Sequence, residues 1–416
     1  MRSQTWKSCL GVMCLLAAGT ANAAKISFSD KGFIDVGALI QTQFRMIENG
    51  SKDENNPSYD FLFNRARILL SGQFDDHIGF IIDTDVTAAA TVIGGTAGGV
   101  GWNNNIYLLD AIGVYKVSKE LIIDAGLTLP PWSHNELTSG GKYASITRFQ
   151  TRTNSPFAPN ATRGLRDIGV VIRGLLLDDR FYYRLGVFNG VQGGTASVGN
   201  GSNGLAPVVP PATTQTVNGG DAPLFAGMLR FNIAGKEDGF SFCQVCFAKS
   251  PIASVGVSAQ YQNNSIRPLV PTGPGTSQYI GQHAWTAGAA DLFADIPFSE
   301  DLELSADVLF AKYWVGDNSV PSGNDLEALV HFRFGVLGIY GAFEWFDSET
   351  KYVGKGNTLG DQKIYRAGVN WFVLQHIYKV SAEVSFQDKE QAGNTVDGTA
   401  VPKNVWQFIL QSQVNF

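Results

Sequence analysis

The chain has 416 residues, with 31 lysines and arginines against 37 aspartates and glutamates, for a formal charge of −6. That balance gives no support to a nucleic-acid partner. Beyond the N-terminus no apolar run approaches the ~20 residues a membrane helix needs, so a membrane-spanning form of this chain has to be a barrel.

In chain order, residues 1–23 carry Arg2 and Lys7, the apolar run Leu10 to Ala18 and then Ala21-Asn22-Ala23. This is the layout of a secretory signal cut after Ala23 or Ala24. Met13 stands before Cys14, where a lipoprotein would need a small residue. Removing the signal leaves 29 basic against 37 acidic residues, a charge of −8, and delimits one domain at 24–416.

Phe33 to Met46 alternates Ile34, Val36, Ala38, Ile40 and Phe44 with Asp35, Gln41, Gln43 and Arg45. The stretch Tyr59 to Thr87 repeats the pattern as a hairpin. One face holds Leu62, Asn64, Ala66, Ile68, Leu70 and Phe74, and the other holds Phe63, Arg65, Arg67, Ser71 and Gln73. After Asp75 and Asp76 the alternation resumes with Ile78, Phe80, Ile82 and Thr84 against His77, Asp83 and Asp85. Matching faces across an antiparallel pair requires an even sum of position numbers, which a three-residue turn provides. Pairing 73 with 77 sets Arg67 opposite Asp83 and Arg65 opposite Asp85; pairing 74 with 78 sets Arg67 opposite Asp85.

Period-two segments continue from Ile106 to Val117, Leu121 to Thr128, Arg166 to Leu176, Phe181 to Phe188, Leu224 to Ile233, Ala253 to Gln262 and His283 to Ile296. Then follow Leu302 to Trp314, Leu326 to Phe334, Leu337 to Phe346, Lys363 to Val373, Ile377 to Gln387 and Asn404 to Phe416. The total is about sixteen strands, an even number of the kind closed outer-membrane barrels use. Connections alternate between short and long, apart from the long 234–251 segment, which stands where a short turn is due. The expected fold is therefore an all-β transmembrane antiparallel barrel with short periplasmic turns and long extracellular loops. Its polar faces line a lumen, because an arginine facing lipid near the midplane costs ~2 to 4 kcal/mol. Tyr115, Tyr183, Tyr313, Trp314, Trp345, Trp371, Tyr378 and Trp406, near strand ends, suit interfacial girdles. The final aromatic, Phe416, resembles the carboxy-terminal signal of outer-membrane proteins.

Charge concentrates in the third long connection. Pro130 to Arg166 carries Lys142, Arg148, Arg152, Arg163 and Arg166 against Glu136 alone. Its Pro-Pro start and its apolar residues Trp132, Leu137, Ile146, Phe149 and Phe157 favour a loop packed inward, narrowing the lumen. Basic groups at a constriction, with Arg65 and Arg67 on the facing wall, enrich anions. The alternative is that they pair with wall carboxylates such as Asp83, Asp85 or Asp124 and brace the loop.

Cys243 and Cys246, the two cysteines left after the signal, lack the following histidine of a haem attachment site and the further ligands of a zinc site. A local disulfide is expected in an oxidising compartment, against a redox-active dithiol. The dispersed histidines spell no hydrolase motif, and no Walker loop occurs, so neither a metal, a cofactor nor an enzyme is expected.

At this point a resemblance appears. FLFNRARILLSGQFDDHIGF is similar to the F-x-x-R-R-A-R-x-x-x-x-G segment of the phosphate-selective porins O and P. The likeness continues through DAIGVYKV, GLTLPPWS, RDIGVVIRG and YRLGVFNG, over roughly the first half of the mature chain. Arg65 and Arg67 match the motif's second and third arginines, with Asn64 in place of the first. The resemblance implies a sixteen-stranded homotrimeric porin whose inward third loop guides anions, phosphate among them. The expected function is passive diffusion of small hydrophilic solutes, leaning toward anions, across a Gram-negative outer membrane, in contact with lipid and lipopolysaccharide. Two other classes remain open at this point: a barrel sleeve around a periplasmic electron-transfer protein, and an outer-membrane enzyme or adhesin.

Overall fold

The structure, a computed structural model, describes residues 24–50, 56–85, 106–149, 165–190, 194–195, 216–217, 222–237, 240–266, 269–273, 276–279, 283–314, 322–349, 361–389, 393–394, 400–401 and 404–416. The proposed signal, residues 1–23, lies outside them, as do Arg152 and Arg163.

Sixteen antiparallel strands close into a barrel. They are β1 (Phe33–Ile47), β2 (Ser58–Gln73), β3 (Ile78–Asp85), β4 (Tyr107–Lys116), β5 (Ile122–Thr128), β6 (Asp167–Leu176), β7 (Phe181–Phe188) and β8 (Leu224–Ala234). The second half comprises β9 (Ile252–Ile266), β10 (His283–Ser299), β11 (Leu302–Trp314), β12 (Gly323–Phe334), β13 (Leu337–Ser348), β14 (Gln362–Leu374), β15 (Tyr378–Lys389) and β16 (Asn404–Asn415). Each strand pairs with its sequence neighbours, and β16 returns to β1 in register from Leu39 opposite Asn415 to Ile47 opposite Gln407. Ala38 and Phe416 exchange both backbone hydrogen bonds at the seam, at 2.8 and 3.0 Å. A leading strand, Ala24–Ser27, extends the sheet beside β1 below the end of β16.

Closure leaves none of the sixteen barrel strands at a sheet edge, so the apolar faces can stand outward without inviting strand addition. Ile68, Val170, Val257, Phe310, Val330, Val369 and Leu410 are exposed on the outer wall. A ten-residue strand at ~3.4 Å per residue, tilted by ~40°, rises about 25 Å, which matches an apolar band of that height. Trp314 and Trp406 near the long-loop rim, with Tyr115 and Trp371 near the short-turn rim, are about half exposed, as interfacial aromatics should be. Tyr313 does not belong to this girdle. It points inward, 1% exposed, against Trp132 and Trp285.

The β2–β3 hairpin takes the register that sets Arg67 opposite Asp85. Its three-residue turn is held by Asp75, whose carboxylate accepts from the backbone N–H of His77 and of Ile78, both at 2.8 Å. One face assignment is corrected. The β1–β2 ladder pairs Gln41 with Arg65 and then Thr42 with Phe63, leaving Asn64 as a bulge that inverts the alternation beyond it. Tyr59, Phe61 and Phe63 are therefore exposed outside, while Leu62 and Asp60 face the lumen with Gln43 and Arg45. The extra residue keeps three aromatics on the apolar side near the rim.

Candidate functional site

Two segments enter the lumen, from opposite rims. The first is the third long loop, which leaves β5 at Leu129 and crosses the bore. Trp132 anchors it, fully buried among Val171, Phe188, Leu224, Trp285 and Tyr313. The four-residue helix α1 (His134–Leu137) follows, capped by Ser133, whose hydroxyl accepts from the Glu136 N–H. The chain then reaches β2 at Gly140 and Gly141. A Cβ there would come within 3.0 Å of Arg65 Nε and 2.6 Å of the Asn415 amide, so a larger residue would push these two side chains from their places.

From there the loop runs along β16, β15 and β14, and its backbone carbonyls accept from wall side chains. Gln41 donates to Gly140 at 3.1 Å, Gln413 to Gly141 at 2.9 Å, Lys379 to Tyr143 at 2.7 Å and Asn370 to Ala144 at 2.9 Å. Glu383 then gathers four donors: the N–H of Ile146 (3.1 Å) and of Thr147 (3.3 Å), the Thr147 hydroxyl (2.5 Å) and the Tyr340 hydroxyl (2.7 Å). A carboxylate with so many donors fixes the loop two residues before Arg148.

The second inward segment belongs to the anomalous connection between β8 and β9, described at 235–237 and 240–251 and here called the arm, which rises from the short-turn rim. It joins loop 3 through backbone hydrogen bonds, Phe242 N–H to Leu137 C=O, Ser139 N–H to Phe242 C=O and Gln244 N–H to Lys142 C=O. Cys243 and Cys246 form the expected disulfide, with Cα atoms 5.4 Å apart. The arm is also tied to the wall. Asp295 accepts from the Cys246 N–H at 2.9 Å and Glu303 from the Phe247 N–H at 3.0 Å, while Arg184 donates to the Phe240 carbonyl at 2.9 Å.

A buried charge network locks loop, arm and wall together. His134, fully buried, sits 2.8 Å from Glu237 of the arm and 3.0 Å from Asp307 of β11, sandwiched between the rings of Phe242 and Phe293. Burial alone would favour neutral imidazole, but the two carboxylates outweigh it and hold His134 at about 9. Burial likewise opposes the Glu237 charge, yet His134 and Arg230 bring that carboxyl down to about 2. Arg230 completes the network with ion pairs to Glu237 and Asp291 and a hydrogen bond to Ser254.

The sequence-derived residues divide into two groups. Arg67 pairs with Asp85 at 2.8 Å and Asp83 at 3.4 Å, and Arg166 with Asp110 at 3.2 Å. Asp124, one of the wall carboxylates considered as partners for the loop's basic residues, pairs with Arg173 of β6 at 2.6 Å. Lys142 is exposed and close to His376 at the short-turn rim. Arg65 and Arg148 come together. Their guanidinium groups lie 5.9 and 5.6 Å from the ring of Tyr143, and among the described residues neither has an ion pair. Arg65 donates to Gln41 at 2.7 Å, and Arg148 to the Glu136 carbonyl.

Tyr143, His134, Glu237 and Glu383 were not singled out from the sequence. Period two could have placed Glu383 on a lumen face beside Lys379 and Ser381, and the length of the 234–251 connection was itself a sign that it goes somewhere.

Solvent reaches the lumen wall unevenly. Arg230, His331, Glu303 and Asp295, facing the arm, are fully buried, and a gap of about 10 Å³ between Arg148, Phe149, Glu136 and Glu327 has room for roughly one water. On the β1–β2 side the Arg45 and Asp60 side chains are 29% and 22% exposed, and Asp35, Arg65, Leu69 and Ser71 are half-buried.

No protein-family model matches the chain, and no curated protein sequence does. Among solved structures, it is similar to the anion-selective porin from Comamonas acidovorans, with a TM-score of 0.59 and 11% identity over 93% of this chain and 100% of that one. The outer membrane channel DcaP of Acinetobacter baumannii gives 0.56 and 12%, over 94% and 100% of the two chains. OprB of Pseudomonas putida gives 0.52 and 9%, over 93% and 95%. At these identities the likeness is one of fold.

Proposed function

We infer that this barrel is an outer-membrane diffusion channel for small hydrophilic solutes, with a lean toward anions. The observation that carries the reading is the pair Arg65 and Arg148, one on the wall and one on the inward loop, flanking Tyr143. Guanidinium groups held by neutral partners keep their field for a passing solute, whereas Arg67 and Arg166 spend theirs on wall carboxylates. Contacts to amide and carbonyl groups are weak enough to let the ion leave again, as conduction requires. The fold likeness to an anion-selective porin and to an outer membrane channel supports this reading, as does the outward apolar band. Phosphate as a solute and a homotrimeric assembly rest on the resemblance to porins O and P.

Loop and arm together occupy much of the bore, which argues against a sleeve around a folded electron-transfer protein. The test is the reversal potential of the Arg65→Glu, Arg148→Glu double variant in a planar bilayer under a potassium chloride gradient. It is expected to move toward the cation side, and an unmoved potential would remove the pair from the filter.

A further inference from the structure

We propose that the disulfide-closed arm, described at residues 235–237 and 240–251, is a second constriction element that narrows the passage from the β8–β12 side of the barrel. The proposal rests on the reading of the barrel as a diffusion channel and not on its ion preference.

Three observations carry it. First, the segment replaces what every other strand pair on that rim does with a turn of a few residues; Phe334 and Leu337, for example, are joined by Gly335 and Val336 alone. Connecting β8 to β9 needs no more than that, so the extra chain is not there to make the turn. Second, the arm is fastened at several independent points: to loop 3 by three backbone hydrogen bonds, to the wall through Asp295, Glu303 and Arg184, and to both through Glu237. The Val245 carbonyl also lies 2.6 Å from His376 Nε2, and Phe247 packs under the Arg333 guanidinium at 4.8 Å. Third, the wall behind the arm is sealed: Arg230, Asp295, Glu303, Ser305 and His331 are at most 1% exposed, whereas Asp35, Arg45, Asp60 and Ser71, on the stretches of β1 and β2 away from loop 3, keep partial exposure, and Gln41 and Gln43 between them are buried where loop 3 lies on the wall.

The polar groups sealed behind the arm would be hydrated in an open pore. Burying them needs partners for each, and the arm's own backbone N–H groups and Glu237 supply several of these. The Cys243–Cys246 bridge closes the turn that carries Gln244, whose amide joins Asp307 at 3.1 Å and the Ala144 N–H at 3.1 Å. The arm therefore also fixes the height at which loop 3 crosses.

Two measurements test this. In the first, residues 236–250 are replaced by a two-residue turn, and single-channel conductance and the exclusion limit for neutral polyethylene glycols are recorded on protein whose gel mobility shows a closed barrel. Conductance is expected to rise roughly twofold or more and the exclusion limit to increase, since a wider bore passes more ions and larger solutes. A conducting variant with wild-type values would overturn the proposal. If neither form conducts while both are closed barrels, the diffusion reading itself falls. The second measurement needs no deletion and no current. Ser71→Cys and Ser305→Cys are made separately in the full chain with the Cys243–Cys246 bridge intact, and labelling by a small charged thiol reagent is followed by mass. Ser71 is half-buried on the β2 wall, and Ser305 is 1% exposed behind the arm, bonded to Asp295. Labelling at 71 and protection at 305 support the arm as a barrier, whatever the ion preference. Equal labelling at the two positions would overturn it.

Discussion

The two sides of the lumen are built from the same kind of strand and behave differently. Behind the arm, on β8 to β12, ionised side chains are packed as in a protein interior, with Arg230 between Glu237 and Asp291, and Arg333 on Glu303 at 2.6 Å. Across from it, on β1 and β2, Arg45 and Asp60 are 3.9 Å apart and partly wet, and Arg65 hydrogen-bonds to Gln41 and lies over Tyr143 without an ion pair among the described residues. The difference teaches that alternation decides which residues face inward, and that what fills the interior decides whether an inward charge becomes structural or field-setting.

The comparison breaks most visibly at its two arginines. Arg230→Ala leaves Asp291 buried without its ion pair and Glu237 with His134 alone, and is expected to cost about 3 to 5 kcal/mol, read from the urea midpoint of the folded barrel in detergent. Arg65→Ala removes one hydrogen bond to Gln41 at a half-buried site and is expected to cost about 1 kcal/mol. Equal costs would erase the distinction between the two sides.

The His134 network gives the next largest effect. Its folded value of about 9 lies above the ordinary 6.5, so its contribution is complete below about pH 6.5 and fades as pH rises toward 9. The loss amounts to about 3 kcal/mol over that window, and His134→Gln should remove this component of the pH dependence while lowering stability at neutral pH.

Glu383→Gln keeps the shape of the loop anchor but replaces an acceptor-only group with one that donates on one side. Loop 3 is expected to lose about 1 to 3 kcal/mol of local protection, seen as faster hydrogen exchange at the Ile146 and Thr147 amides with the strands unchanged. At the bottom of the scale, Lys119→Ala breaks the exposed pair with Asp179 at the short-turn rim and should leave both stability and conductance unchanged.

Much of this architecture was readable in advance, for physical reasons that also mark where reading stops. Strands such as Phe181–Phe188 and Leu302–Trp314 fall where the alternation put them, because a wall with lipid on one side and polar groups on the other enforces period two. The bulge at Asn64 was invisible, since Leu62 and Phe63 are both apolar and either could face lipid. Arg148 was found through the charge of its loop, and Arg67 through hairpin parity. Their different roles depend on Tyr143, Gln41 and Asp85, neighbours that local pattern does not rank. The arm was an irregularity in connection length, and its partners Asp295, Glu303, Asp307 and His134 lie so far along the chain that no local pattern could have joined them.

The seam where Ala38 and Phe416 bond has a consequence for how the molecule is made. The strands it joins are the first and last of the sixteen, so the ring cannot be sealed before β16 has been delivered, whereas every other pairing is between strands adjacent in sequence. Loop 3 and the arm both belong to the earlier part of the chain. The contents of this vessel are thus on hand before its wall is shut, and its cargo of paired charges can be stowed through an open side instead of being threaded through a finished mouth.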